Sequence, residues 1–282
     1  MQIEMSNQGT ICAGIVLYNP DINKLKNNIE HIYKQVSCVF IVDNGSRNVC
    51  EIDSLIRKYS NVYMNELDNN YGIAKALNVI ANEARGKGFK WLLTLDQDSE
   101  CLNHIIENYE KHIILERAGL ISCLYCDRNF DSNQNEYEGV RKIEWCITSA
   151  SLLNLDIWHE VRGFDEFLFI DAVDYDFCLT LKEKKYYTYQ IGFIGFTHEI
   201  GEGKIRNIGS LKIKTWNHSP FRRYYSTRNV IIVAKKHNTG VIKATLGAIK
   251  HTMLIFLFED EKYSKLKRAI SGMIDGFKYK KC

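Results

Sequence analysis

The sequence predicts an α/β fold, a mostly parallel central sheet with helices on its faces and a helical carboxy-terminal extension. Three observations carry that expectation. Over the first hundred residues, short β-rich apolar runs alternate with amphipathic helical patterns. The apolar runs are continuous, as in strands covered on both sides. The residues that follow them are polar, which suits the strand ends where open sheets of this kind bind ligands.

The strands are expected at residues 11–18, 39–43, 62–66 and 91–95. Helical spacing of Ile22, Leu25, Ile29 and Ile32 after Asn19-Pro20-Asp21 predicts the first helix, with a capping side chain at its start. A later helix begins near Gly72, with Ile73, Leu77, Ile80 and Ala84 on one face. Beyond residue 100 the pattern loosens into a polar surface loop over 127–139, a strand at 142–145, a helix near 155–161, an acidic cluster at 171–176 and a strand near 187–191. A boundary is expected near residue 205, with helices after it.

A hydrophobic content of 45%, 12% aromatics and two prolines describe a globular chain and exclude a disordered one. The nine cysteines are scattered through strands and helices, and no charged-then-apolar leader opens the chain, so a reducing, cytoplasmic setting is expected. Cys123 and Cys126 form a lone CxxC without a second pair, which reads as buried small hydrophobes rather than a zinc site. The longest apolar run near the end, 253–258, falls far short of the ~20 residues needed to span a bilayer.

The net charge of +3 is unevenly placed. Residues 201–282 hold 18 Lys+Arg against 5 Asp+Glu, whereas the preceding residues hold 19 against 29. Nucleic acid, an anionic membrane surface and a phosphorylated ligand would each suit such a tail. No nucleic-acid recognition motif accompanies it.

The predicted strand ends carry Tyr18-Asn19, Asp43-Asn44-Gly45-Ser46 and Asp96-Gln97-Asp98-Ser99, which the fold would bring to a common edge. Taken singly, the first two are also ordinary turn or helix-start chemistry. The paired carboxylates of Asp96 and Asp98 suit a hard divalent cation, Mg2+ or Mn2+, of the kind shared with substrate phosphates. Arg222, Arg223 and Arg228, interleaved with Tyr224 and Tyr225, suit phosphate recognition, because guanidinium forks pair with phosphate oxygens. No GxGxxG follows the first strand, which argues against a dinucleotide-dependent oxidoreductase. A non-catalytic binding protein would have no chemical need for these carboxylates.

The segments ICAGIVLYNPD, VFIVDNGS, NNYGIAKALN, LLTLDQDS, RGFDEFLFIDAVDYDFCL and RRYYSTRN resemble, in the same order, glycosyltransferase family 2 of the GT-A fold, and its bacterial rhamnosyltransferase branch in particular. The resemblance runs from about residue 10 to about residue 235. It implies an inverting, metal-dependent enzyme that moves a sugar from a nucleotide diphosphate sugar, dTDP-rhamnose above all and a UDP-hexose as the alternative, to a saccharide hydroxyl in cell-surface polysaccharide or O-antigen synthesis.

It also implies roles. Tyr18 and Asp43 would contact the donor base; Gly72 and Lys75 would lie beside the nucleotide; Asp96 would sit near the ribose; Asn44 and Gln97 would also belong to the donor site; and Arg222, Arg223 and Arg228 would close over the diphosphate. Asp96, Asp98 and His198 would hold the metal. Asp174 would be the general base, with Asp171 and Asp176 as rivals. The catalytic domain would be residues 1–205, a nucleotide-binding half to about 100 and an acceptor half after it, with 206–282 completing the donor site. The chain departs from the family in Val173 before Asp174, in Thr180, and in Ala150 after Thr148-Ser149.

The tail also shows two apolar stripes, one at Ile242, Leu246, Ile249, Met253 and Phe256, the other at Leu266, Ile270, Met273 and Phe277. They read either as faces packed on the body or a second subunit, as in a homodimer, or as a peripheral contact with the inner face of the plasma membrane. A lipid-linked acceptor would suit the second reading.

Overall fold

The computed structural model describes residues 10–127, 136–198, 204–208, 211–215 and 217–280. The first half is a run of β1 (Ile11–Leu17), α1 (Ile22–Ile32), β2 (Val39–Asp43), α2 (Val49–Ile56), β3 (Val62–Glu66), α3 (Ile73–Gly86) and β4 (Trp91–Asp96). Strand β1 is buried along its whole length and lies between β2 and β4, parallel to both. Its side chains alternate: Ile11, Ala13, Ile15 and Leu17 join the core layer containing Leu25, Ile29 and Ile32 of α1, while Cys12 and Val16 join the layer containing Leu77 and Ile80 of α3.

Helix α1 is capped by the Asp21 carboxylate, which accepts the backbone N–H groups of Asn23 at 2.8 Å and Lys24 at 3.1 Å. Full burial of Leu25, Ile29 and Ile32 outweighs that cap, since each such side chain contributes about 1.5–3 kcal/mol against about 1 kcal/mol for the cap. Strand β3 differs from the expectation of cover on both sides. It forms the sheet edge, and only Val62 is buried. An edge strand meets one neighbour, so its polar Asn65 and Glu66 stay in water.

The second half contains β5 (Glu100–Cys101), α4 (Ile105–Glu110), β6 (Ala118–Asp127), β7 (Val140–Ile143), β8 (Ser151–Asn154), α5 (Leu155–Glu160), a 3-10 turn (Glu166–Leu168), α6 (Val173–Glu183) and β9 (Tyr187–His198). The sheet order is β3-β2-β1-β4-β8-β6-β9-β5, with β7 also on β9. Strand β8 runs antiparallel to both β4 and β6, so the sheet is parallel through its first half and mixed beyond β4. Part of the expected polar loop at 127–139 lies outside the described residues.

The tail does not begin with a helix. A hairpin of β10 (Lys204–Ile208) and β11 (Leu211–Thr215) comes first. Leu211-Lys212-Ile213-Lys214 alternates with period two, a strand pattern that the run of basic residues obscured. Then come α7 (Pro220–Lys236), α8 (Val241–Phe258) and α9 (Lys262–Lys278). Ser219 caps α7 and Pro220 sits in its first turn. Helices α7 and α9 pack backbone to backbone, since a Cβ on Gly272 would overlap the Tyr224 carbonyl oxygen.

Helix α8 corrects the expectation that no segment is long enough to span a bilayer. It is 18 residues long with a mean hydropathy of 1.5, and 17% of it is buried. Lys243 and Lys250 break the linear apolar run without breaking the helix, which is why the sequence shows only 253–258. Ala248, Thr252 and Ile255 face inward, and the expected stripe of Ile242, Leu246, Ile249, Met253 and Phe256 is exposed.

Candidate active site

The three polar clusters meet at one edge of the sheet. The Tyr18 N–H donates to Gln97 Oε1 at 2.9 Å, the Asn19 N–H donates to Ser46 Oγ at 2.7 Å, and Asn28 Nδ2 donates to the Asp96 carbonyl at 2.7 Å. Asp43 is fully buried; its Oδ2 accepts the Ser46 N–H at 3.0 Å, while its Oδ1 has no partner. Such an orphaned acceptor is costly unless a ligand donor meets it. The Asp96 N–H donates to Ser149 Oγ at 3.4 Å, and Ser149 Oγ lies 2.6 Å from Ser99 Oγ, so the Thr148-Ser149-Ala150 segment props the end of β4.

Asn44 is buried and tied internally: its amide donates to Asn70 Oδ1 at 3.0 Å and its Oδ1 accepts the Tyr71 N–H at 2.9 Å. These bonds fix the approach to α3. Gly72 follows with φ of +88°, and a Cβ there would come within 2.5 Å of the Phe169 carbonyl oxygen. Its glycine therefore serves the contact with the 166–172 loop, where the Ile73 N–H donates to that same oxygen at 2.7 Å. Lys75 pairs with Glu166 at 3.2 Å in the same loop.

That loop is the most constrained part of the site. Phe169, Asp171 and Ala172 all hold positive φ, at 65°, 64° and 62°. Asn229 of α7, fully buried, aims its Nδ2 at the carbonyls of Leu168, Ile170 and Asp171, at 2.8, 2.7 and 2.9 Å. Arg228 donates to the Phe167 carbonyl at 2.7 Å and stacks over the Tyr225 ring. From α3, Asn78 donates to the Phe164 carbonyl and to Glu166 Oε1 and accepts the Phe164 N–H.

The three arginines are thus placed differently. Arg228 is turned inward to the loop. Arg223 pairs with Glu259, which also receives Lys265 at 3.2 Å, and both partners of the pair are buried. Arg222 pairs with Asp171 at 3.0 Å and remains part-exposed.

The acidic cluster separates as cleanly. Asp176 is 2% exposed and held by Lys236 Nζ at 2.8 Å and His237 Nε2 at 2.9 Å. Asp171 is held by Arg222; burial raises its pKa and the guanidinium opposes that rise. Asp174 has no cation partner among the described residues, and its Oδ1 accepts the Tyr175 N–H at 2.8 Å. Burial pushes its pKa up to about 6, and the charges of Asp171 and Asp96 add to the rise. Asp96 and Asp174, which are distant in sequence, therefore act on each other across one site.

Asp98 is part-exposed just beyond β4. The backbone of His198 ends β9, opposite Asp127, and its side chain lies outside the described residues. Among the described residues no three His, Cys, Asp or Glu side chains form a metal cluster. The oxygen chemistry nonetheless suits a hard cation: Asp96 and Asp98 would supply two ligands and leave other positions for substrate oxygens.

Sequence reasoning passed over Asn78 and Asn229 as functional positions. Asn78 is a short amide embedded in an otherwise apolar buried helix face, and that misfit is the signal that could have found it; Asn229 is buried beside Thr227 and Arg228, where the pattern carries no such signal.

Comparison with known proteins accords with this geometry. The family model described as glycosyl transferase family 2 matches residues 12–165. A dTDP-rhamnosyl transferase, RfbF, of Shigella flexneri is 28% identical over 287 residues, covering 95% of each chain. Among solved structures, TarS 1-349 of S. aureus aligns with a TM-score of 0.59 at 13% identity, covering 94% of this chain and 80% of that one. GalNAc-T7, solved with UDP, GalNAc and Mn2+, aligns with a TM-score of 0.64 at 10% identity, covering 96% and 56%. These two likenesses establish the GT-A fold. With more than half of its length matched by the family model, on a fold of that type, the chain belongs to glycosyl transferase family 2.

Proposed function

We propose that the protein transfers rhamnose from dTDP-rhamnose to a hydroxyl of a saccharide acceptor, in one displacement that inverts the anomeric centre. The observation that carries this reading is Asp174: a part-buried carboxylate with no cation partner among the described residues, its pKa pushed up to about 6, coupled by charge to the strand end that bears Asp96. A general base works best with a pKa close to the operating pH. Asp176 is occupied by Lys236 and His237 and Asp171 by Arg222, so Asp174 takes the acceptor proton.

Donor recognition begins at Asp43, whose Oδ1 would accept the ring N–H of the base. Tyr18, exposed beside it, offers a face for that base. Asp96 and Asp98, with His198 as a candidate third ligand, would hold Mg2+ or Mn2+, which would neutralise the departing diphosphate. Arg222, whose Nε donates to Asp171, would bind a phosphate oxygen with its remaining N–H groups. The rhamnosyl donor is supported by the S. flexneri relative. A UDP-sugar is the second reading, favoured by a solved TarS complex with UDP-GlcNAc, because thymine and uracil offer Asp43 the same N–H.

Thermal shift with dTDP-rhamnose and UDP-hexoses, with and without Mn2+, tests the donor, since a ligand of the native state stabilises it by mass action. A shift with dTDP-rhamnose that requires metal is the expected result. The base is tested by Asp174→Asn, expected to lower kcat by about 10²–10⁴-fold with donor binding retained; an active Asp174→Asn enzyme removes the assignment.

A further inference from the structure

Trp145, just after β7, is 51% exposed, whereas Trp91 and Trp158 are 5% and 4% exposed. A lone exposed aromatic needs no explanation; its position is what matters here. Its ring meets that of Tyr175 edge-on, with centroids 6.2 Å apart and planes at 85°. Tyr175 in turn donates its N–H to Asp174 Oδ1 at 2.8 Å, so the aromatic pair begins one residue from the proposed base. Cys146, next in the chain, is buried, and its thiol lies in the field of the Asp174 carboxylate. Three residues further on, Ser149 Oγ accepts the Asp96 N–H. The 145–149 segment therefore runs from Trp145, alongside Asp174, to the end of β4.

A second contact fixes the direction in which this surface continues. Glu144 pairs with Lys182 at 3.1 Å, and both side chains are exposed. Lys182 lies seven residues beyond Tyr175, two helical turns along the same face of α6. Residues 144 and 145 thus follow one face of α6 outward from Asp174, with an aromatic surface first and an ion pair after it. The donor-facing residues Tyr18, Asp43 and Asp96 come instead from β1, β2 and β4 and the turns after them.

An edge-on pair covers at most one face of one ring, so flat aromatic surface stays open beside the base. That surface carries the negative side of the aromatic quadrupole. A pyranose ring is its complement: axial C–H bonds give it a flat, apolar, weakly positive face, and its hydroxyls project at the rim.

We propose that Trp145, set against Tyr175, is the stacking platform for a pyranose ring of the acceptor, with Glu144 and Lys182 binding hydroxyls on its outer rim and the reacting hydroxyl turned to Asp174. The inference rests on the glycosyltransferase reading of the site and adds an acceptor subsite to it.

The probes are methyl β-D-glucopyranoside and methyl N-acetyl-β-D-glucosaminide, with sorbitol as an open-chain polyol that has hydroxyls but no flat face. Saturation-transfer NMR on the full chain measures their binding. At least one glycoside is expected to bind, with saturation strongest at its ring C–H protons, and sorbitol is expected to bind at least tenfold more weakly. Trp145→Leu keeps apolar bulk against Tyr175 and removes the flat ring; it is expected to weaken the glycoside at least tenfold. Trp145→Phe, which keeps a flat ring, is expected to bind within threefold of the native chain. Thymidine diphosphate affinity is expected to be unchanged in both variants. Absence of glycoside binding, equal binding of sorbitol, or a Trp145→Leu variant that binds as the native chain does overturns the proposal. So does a change of oligomeric state in sedimentation on Trp145→Leu, which makes Trp145 a subunit contact. Loss of glycoside binding in that variant, in a protein that never bound thymidine diphosphate, supports the platform and refutes the donor reading separately. Thymidine diphosphate bound, with glycoside binding indifferent to Trp145, refutes the platform alone.

Discussion

Asn229→Ala removes the amide that holds the loop before α6. The Asn229 Nδ2 has two hydrogens for three carbonyls at 2.7–2.9 Å, so it forms two full bonds and shares a third. At a net of about 1 kcal/mol each, the loss is roughly 2–3 kcal/mol. The loop it holds stores strain that the amide opposes, because three non-glycine residues sit at positive φ. Without the amide, relaxation to negative φ becomes favourable, and Asp171 and the start of α6 move. Thermal unfolding is expected to fall by roughly 4–8 °C. Steady-state transfer is expected to show kcat lower by about 10²-fold, the cost of misplacing a reacting group by ~1 Å, with the donor KM within a factor of three. Ile231→Val, on the same helix and fully buried, is the control: it should cost about 0.5–1.5 kcal/mol of stability and leave kcat alone. An Asn229→Ala enzyme with native kcat, or a control that loses turnover equally, refutes the idea that this amide positions the catalytic loop.

The pH profile of kcat/KM should show an acidic limb near pH 6, since Asp174 accepts a proton only when ionised and burial has raised its pKa to about 6; a flat profile down to pH 5 contradicts the base assignment. His237 sits between Asp176 and Glu183, and although burial lowers its pKa, the hydrogen bonds to those carboxylates raise it overall. Its imidazolium therefore adds stability below the unfolded value of about 6.5, and that stability is lost as pH rises through the higher folded value. Urea midpoints should decline over that interval in the native chain and lose the decline in His237→Gln. Gly72→Ala meets both a φ of +88° and the Phe169 backbone, so it is expected to lower the unfolding midpoint and turnover together. Asp96→Ala and Asp98→Ala should each abolish the Mn2+-dependent part of donor binding, measured by thermal shift.

The first half of the fold was legible because its physics is local: continuous apolar runs make β1, β2 and β4, and helical spacing marks α1 and α3. The acidic edge was legible for the same reason, since each carboxylate follows a readable strand. The second half was not, because β8 and β6 are defined by pairing with β4 and with each other, a long-range property that periodicity does not carry. The three aspartates of the 171–176 cluster looked alike in sequence; their cation partners tell them apart, Arg222 for Asp171, Lys236 with His237 for Asp176, and none among the described residues for Asp174. The arginine-rich motif showed cationic chemistry but not direction, and the structure turns Arg228 inward while leaving Arg222 at the site.

The seam between α7 and α9, where Gly272 and Gly276 let one backbone lie on the other, reaches the chemistry from behind. Because α7 carries Arg222, Arg228 and Asn229, a chain shortened to its sheet and first helices would keep its nucleotide-facing edge and lose the scaffold that tensions the loop before Asp174. Such a fragment would be a receptor for nucleotide rather than a catalyst. Since α7 holds the loop before α6 through Arg228 and Asn229, drift at Gly272 and Gly276 is expected to be felt first as lost turnover.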